Sequence, residues 1–419
     1  MPLTRLGSAA ARLIFLALLF AVTPCAAQQA QLPRPWAELS ADGALSVRAI
    51  VAPGAACPQL VADGAVLPSV ARSQPSAEFP VQVCEARAPL NTARLSADGT
   101  ALPSLPPAVR RIAVIGDTGC RIEGRAIQNC LDPAAWPFAA IAARAAAKRP
   151  DLVIHVGDYY YREKGCPAGN IGCAGSPFGD NWPTWKAELF DPGAPLFAAA
   201  PWLAVRGNHE ICRRGGQGWF RLLDPYPLRP DCATHTPAYQ MSAGGLELIV
   251  FDGAEADDFL APPDKVAAYA AELAPLLAGA RPHSWFLTHR PVWAMAQADL
   301  SGLATLNQTE QAAIRGRVPS NLDLVLSGHV HDFLSYEFGP ERPAQLVVGT
   351  GGDALLKLGE AAIAGAEIDG MPVRKGYASE RFGYFIMERN GGGWDGTFYA
   401  ADDTVIARCR LEGRALDCR

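Results

Sequence analysis

The chain predicts an α/β fold, a sandwich of strands and helices, behind a small β-rich N-terminal domain. Three observations carry that expectation. After Arg110, short apolar runs recur, and most stop at a glycine or a polar residue. Alanine-rich stretches, notably 136–148 and 264–278, lie between several of them. Before about residue 107 the texture differs, with alternating runs among Pro, Ala, Ser and Gly. Strands alternating with helices give a layered α/β architecture whose working residues gather beyond the strand ends.

The first 27 residues read as a leader outside the fold. Arg5 and Arg12 give a positive start, Leu13 to Val22 is apolar, and Cys25-Ala26-Ala27 resembles a small-residue cleavage site. Such a run is short for a bilayer span and fits a cleaved signal peptide, which places the mature chain in the periplasm or outside the cell. A lipid anchor on Cys25 is the competing reading, and Pro24 just before it fits poorly. Loss of Arg5 and Arg12 takes the formal charge from −5 to −7. That mildly acidic balance argues against nucleic acid as the main partner, because phosphate backbones attract basic faces. Ten cysteines remain, and they fall into sequence-neighbouring couples. In an exported chain this implies disulfides, most simply 57–84, 120–130, 166–173, 212–232 and 409–418.

Residues 28–107 suggest the small β domain, with turn signals at Ala41-Asp42-Gly43 and Ala97-Asp98-Gly99. Residues 108–419 form the expected main domain. There Ile112–Ile115, Leu152–Val156, Trp202–Val205, Leu246–Phe251, Trp285–Leu287 and Leu322–Leu326 read as buried strands. Asp264 is a candidate cap for the helix over 264–278, and Pro275 is expected to kink or shorten it. The runs at 346–349, 383–388 and 396–407 suggest a second sheet. Residues 353–382 read as a long surface excursion over the site.

Five short segments follow the apolar runs: Gly116-Asp117-Thr118-Gly119, Gly157-Asp158-Tyr159-Tyr160-Tyr161, Gly207-Asn208-His209-Glu210, Thr288-His289 and Gly328-His329-Val330-His331. A lone Gly-Asp is an everyday turn, and a lone histidine is more often core than ligand. Two Gly-Asp units and three imidazole-bearing segments, each ending a strand-like run, are a metal-binding set. In a regular strand His329 and His331 would share one face, so presenting both rings needs a local bend.

The set resembles the calcineurin-like metallophosphoesterase superfamily, and more closely its purple acid phosphatase branch. Many members carry Asp-x-His in the first motif; this chain has Asp117-Thr118-Gly119, the glycine version of purple acid phosphatases. That branch also has a tyrosine three positions after the second aspartate, which is Tyr161 here. The motif order spans about residues 110–350. The resemblance implies a metallophosphoesterase sandwich, two mixed β-sheets flanked by helices, and a binuclear centre: Asp117, Tyr161 and His331 on Fe(III), Asp158 bridging, and Asn208, His289 and His329 on Fe(II), Zn(II) or Mn(II). Hard oxygen ligands suit the more highly charged ion and mixed imidazole and amide ligands the divalent one. The implied activity is hydrolysis of phosphate monoesters of small organic molecules, with metal-bound hydroxide as nucleophile and His209 binding phosphate or protonating the leaving group.

Some members place further histidines nine or ten residues after the fourth-motif histidine. Those positions are Ala298 and Asp299 here, so the proton donor is His209, Asp299 or another group. Arg213, Arg214 and Arg290 adjoin motifs and suit either phosphate oxygens or surface ion pairs. A phosphodiesterase, nucleotidase or pyrophosphatase on the same centre is the nearest competing activity. A non-catalytic binding protein with structural metals is the competing class, although closed structural sites need no spare histidine.

Overall fold

The computed structural model describes Met1 and residues 32–124, 126–298, 302–356, 358, 363 and 365–419. Apart from Met1, the expected leader with its Cys25 lies outside the described residues, as does Asp299. Among those described, no helix is long and apolar enough to cross a membrane.

Two large sheets face each other among the described residues, one of eleven strands and one of seven. In the first, Arg111–Ile115, Leu152–His155 and Trp202–Ala204 run parallel at the centre. In the second, Leu246–Val250, Ser284–Leu287, Leu322–Ser327 and Ala344–Val348 run parallel. Antiparallel strands flank both, so each sheet is mixed, as expected. Apolar residues fill the space between them: Val114 and Ile154 from one sheet meet Leu248, Leu324 and Leu346 from the other. The outer face of the first sheet is covered by the helix Phe138–Ala147 and a helical run that ends in Asp191–Ala199. The helices Pro263–Ala278 and Gln308–Ile314 cover the second. Burial on both faces explains why the central strands read as unbroken apolar runs rather than alternating ones.

Three local expectations need correction. Asp264 lies inside the first turn of its helix, where an acid complements the dipole, and the residue before the helix, Pro262, caps nothing with its side chain. Pro275 sits within that helix without ending it before Ala278. The runs at 383–388 and 396–407 join the first sheet, since Gly383–Asn390 pairs antiparallel with Arg111–Ile115.

The β-rich character of the N-terminal segment is present, but a boundary near residue 107 does not separate two sheets. Trp36–Leu39 lies parallel to Trp202–Ala204, and Ala44–Val51, Gln82–Pro89 and Val70–Ser73 extend the same sheet outward. Pro33–Arg419 cluster as one unit. The described cysteines pair as Cys57–Cys84, Cys120–Cys130, Cys166–Cys173, Cys212–Cys232 and Cys409–Cys418, the connectivity that sequence neighbourhood suggests.

A buried ionic network pins this added edge to the chain beyond the third motif. Arg48 donates to the main-chain oxygens of Leu222 and Asp224 at 2.6 Å each, and Arg72 to those of Phe220 and Asp224. Arg48 also pairs with Glu38 at 2.9 Å and Arg72 with Glu85 at 3.0 Å. Burial outweighs the nearby arginines at Glu38 and Asp224 and pushes both carboxyls up to about 7. At Glu85 burial loses to Arg48 and Arg72, which pull the carboxyl down to about 2. The folded chain therefore keeps two protons that the unfolded chain releases near pH 4. Their stabilising contribution is whole below about pH 4 and disappears as pH rises through about 7. The melting temperature is expected to fall between about pH 5 and about pH 8, and Asp224→Asn to flatten that fall. A wild-type melting temperature that rises across this window would contradict the assignment.

Candidate metal centre

Each motif loop leaves the C-terminal end of a parallel strand, so the strand ends of both sheets deliver side chains to one cleft. Three of the motif residues are bent into the left-handed region: Asp117 at φ 56°, Asp158 at φ 59° and His329 at φ 70°. The turn at His329 is the bend that the paired histidines need. Gly157 has φ 102°, and a side chain there would run into His289; one at Gly328 would run into Asp117.

The loops are laced to one another by main-chain bonds. Asp117 N donates to Gly157 O at 2.9 Å, Gly328 N to His289 O at 3.0 Å, and Asp353 N to Asp117 O at 2.9 Å. Two fully buried glutamates complete the lacing. Glu210 accepts from the main-chain N–H groups of Asp158, Tyr159, Tyr160 and Gly207 at 2.9–3.2 Å. Glu188 accepts from those of Cys120, Tyr161 and Arg162 at 2.7–3.1 Å.

The donor atoms fall into two groups that share one carboxylate. In the first, Tyr161 Oη lies 3.1 Å from Asp117 Oδ1, 2.9 Å from Asp158 Oδ2 and 3.1 Å from His331 Nε2. In the second, His289 Nε2 lies 3.1 Å from Asp158 Oδ2 and 3.1 Å from Asn208 Oδ1. One donor atom each from Asp158, His289 and His329 lie within 4.8 Å of one another. Donors held about 2.1 Å from one octahedral cation stand about 3 Å apart, so both groups fit cations in their present spacing. All seven residues expected as ligands stand in these two groups.

Electrostatics favours positive charge here. Burial opposes protonation of His289, yet Asp158 beside it outweighs burial and lifts the ring to about 9. Asp353 and Asp117 do the same for His331, also to about 9. Burial, Asp117 and Asp158 push the Tyr161 phenol well above its usual range. A cation between these groups reverses that last effect, because it favours the phenolate.

His209 is buried, its ring 3.8 Å from that of Tyr161. Its Nδ1 lies 2.8 Å from Glu163 Oε1, and Arg214 binds the same carboxylate at 2.5 Å. Glu123, Glu163 and His209 also cluster closely enough to suggest a further cation site. The Arg214 guanidinium already occupies that position, 3.5 Å from Glu123. The cleft opens into a cavity of about 350 Å³. Arg121, Glu123, His209 and Arg214 give it a charged wall, and Ala296, Leu306, Val330 and Leu356 an apolar one.

The arginines fare unequally. Arg214 lines the cavity. Arg213 is exposed and pairs with Glu255 at 3.6 Å, and is absent from the cavity wall. Arg290 is committed to Asp258, which also lies 3.0 Å from His329 Nε2. Tyr159 and Tyr160 pack rather than face the donors: Tyr159 Oη donates to Val205 O at 3.0 Å, and Tyr160 stacks on Trp185. His155 is buried structure, 2.9 Å from Thr118 Oγ1.

Sequence reasoning missed Arg121, Glu163, Asp258 and Asp353. Asp353 lies 3.2 Å from His331 Nδ1 and is gripped by Arg121. A signal for it exists, because Gly349-Thr350-Gly351-Gly352-Asp353 is another glycine-rich turn to aspartate after an apolar strand. Glu163 and Asp258 carry no comparable mark.

Fold and site together define an enzyme of the phosphoesterase class. The model of the calcineurin-like phosphoesterase family matches residues 110–333, more than half of the chain, and the chain belongs to that family. Its substrates are accordingly small phosphorylated molecules, and the family generally binds two metal ions. Solved structures of similar fold include a purple acid phosphatase from yellow lupin (Lupinus luteus) seeds, with TM-score 0.57 and 14% identity. That match covers 90% of this chain and 74% of the lupin one. PhoD is also similar, with TM-score 0.53, 14% identity, and coverage of 93% of this chain and 92% of that one. No curated protein matches the sequence.

Proposed function

We propose that the chain is an exported phosphomonoesterase of the purple acid phosphatase type, working with two cations. The observation that carries this reading is the single Asp158 carboxylate shared by both donor groups. Asp117, Tyr161 and His331 would hold Fe(III) with Asp158, and Asn208, His289 and His329 would hold Fe(II), Zn(II) or Mn(II). Cations so held supply Lewis-acid charge to a phosphoryl group and make water a nucleophile near neutral pH.

The chain's own residues do the rest. With Nδ1 held by Glu163, His209 keeps Nε2 as the atom that gives a proton to the leaving oxygen. Arg214 and Arg121, on the charged wall, offset the phosphate's negative charge. The apolar wall takes the organic part of the ester. Five disulfides among the described residues support export, since such bonds persist in oxidising compartments.

Purified protein should hydrolyse p-nitrophenyl phosphate faster than the bis ester. A preference of about a hundredfold for the diester, nearly 3 kcal/mol of barrier, would overturn the monoesterase reading. The protein should also be coloured by a ferric–phenolate band that Tyr161→Phe removes. A colourless, fully active enzyme would end the iron assignment while leaving hydrolysis intact.

A further inference from the structure

The three imidazoles of the centre are anchored in two different ways. His289 Nδ1 lies 2.8 Å from the Val156 carbonyl oxygen, and His331 Nδ1 lies 3.0 Å from that of Ala354. His289 thus donates from Nδ1 to main chain, His331 Nδ1 also faces Asp353 Oδ2 at 3.2 Å, and both rings turn Nε2 toward Asp158 or Asp117. His329 is reversed. Its Nε2 faces the Asp258 carboxylate at 3.0 Å, and the tautomer that donates there has its free lone pair on Nδ1. Asp258 is in turn held by Arg290, whose Nη1 sits on the same carboxylate oxygen and 2.8 Å from His329 Nε2. The loop that carries Asp258 is fixed to the Gln308–Ile314 helix, with Gln308 N on Asp258 O and Thr309 N on Asp257 O, both at 3.3 Å.

We propose that Asp258, oriented by Arg290, is the positioning residue that sets the tautomer and ring angle of His329 and so governs occupancy of the second cation position. The proposal rests on the binuclear reading given above. A carboxylate behind a ligand histidine makes that nitrogen more basic and spares the ring an entropy loss on binding; removing such a partner typically weakens metal affinity 10–100-fold. Asp258 touches no expected ligand of the first position, so its effect is confined to the second. It is also an anchor that one substitution can remove, whereas the carbonyl behind His289 cannot be mutated away.

The test uses the purified full chain, stripped of its divalent ion by a chelator and titrated with Zn(II). Wild type, Asp258→Asn, Asp258→Ala and Asp258→Glu are compared by calorimetry and by metal content. The Asn and Ala variants are expected to bind the second ion about 10–100-fold more weakly, with the Glu variant recovering part of the loss. The first ion and the Tyr161 absorption band should stay unchanged in every variant, and the far-ultraviolet circular dichroism should match wild type. Wild-type Zn(II) affinity in both Asn and Ala variants overturns the role of Asp258 and leaves the binuclear reading standing. Loss of both ions together also overturns it, because the effect is then not confined to one position. A wild-type chain that takes up no second ion overturns this inference and the binuclear reading alike.

Discussion

Asp158→Asn is expected to lower turnover of p-nitrophenyl phosphate by at least about a thousandfold, or about 4 kcal/mol of barrier, in a chain that still folds. The argument turns on which oxygen the amide replaces. Asp158 Oδ1 accepts the main-chain N–H of His209 at 2.8 Å, and that bond keeps the asparagine carbonyl in place. The NH2 must then stand where Oδ2 was, beside Tyr161 Oη and His289 Nε2. A donor now occupies the one place where both donor groups need an acceptor, and the site loses a negative charge. Metal content should fall with activity, while the far-ultraviolet circular dichroism of the metal-free protein still reports a folded chain. Activity above about a tenth of wild type, a loss of under 1.4 kcal/mol, would mean that Asp158 is not shared between two cations.

The second large effect concerns stability. Glu210→Ala should destabilise the folded chain by about 4 kcal/mol or more and abolish activity with it. Four main-chain N–H groups converge on this carboxylate in a place fully closed to solvent. An orphaned buried donor costs about 1–3 kcal/mol, and even with water entering the gap the sum is large. Set against a total of about 5–15 kcal/mol, it is a substantial fraction of what holds the chain folded. Glu210→Gln should fall between, since its amide group offers one acceptor and brings two donors into a nest of donors. Denaturant unfolding of the three proteins measures this. An alanine variant as stable as wild type would show that the loops of the second and third motifs hold themselves.

Most of the central scaffold was legible because its strands are buried on both faces, and such strands announce themselves as apolar runs. The ligands were legible because each stands two to five residues beyond such a run, at a fixed place in chain order. The residues that aim those ligands were not. Asp258 works on His329, which is 71 residues away, and Glu188 on Cys120, 68 residues away. Neither spacing has any local signature, because the contact exists only once two loops meet. The partner of the N-terminal strands was hidden for a related reason. Their alternating pattern and proline-rich exit at Pro103, Pro106 and Pro107 describe an antiparallel β segment correctly. Nothing in that pattern says that Trp36–Leu39 pairs with a strand more than 160 residues downstream.

The left-handed backbone at Asp117, Asp158 and His329 narrows the chain's choices twice over. Aspartate, asparagine and histidine are the side chains other than glycine that occur most readily in this conformation. They are also oxygen and nitrogen donors suited to hard and intermediate cations. Geometry and coordination therefore filter for the same small alphabet at these positions. A cysteine or a branched aliphatic residue would be rejected by the curvature before its affinity for an ion came into question.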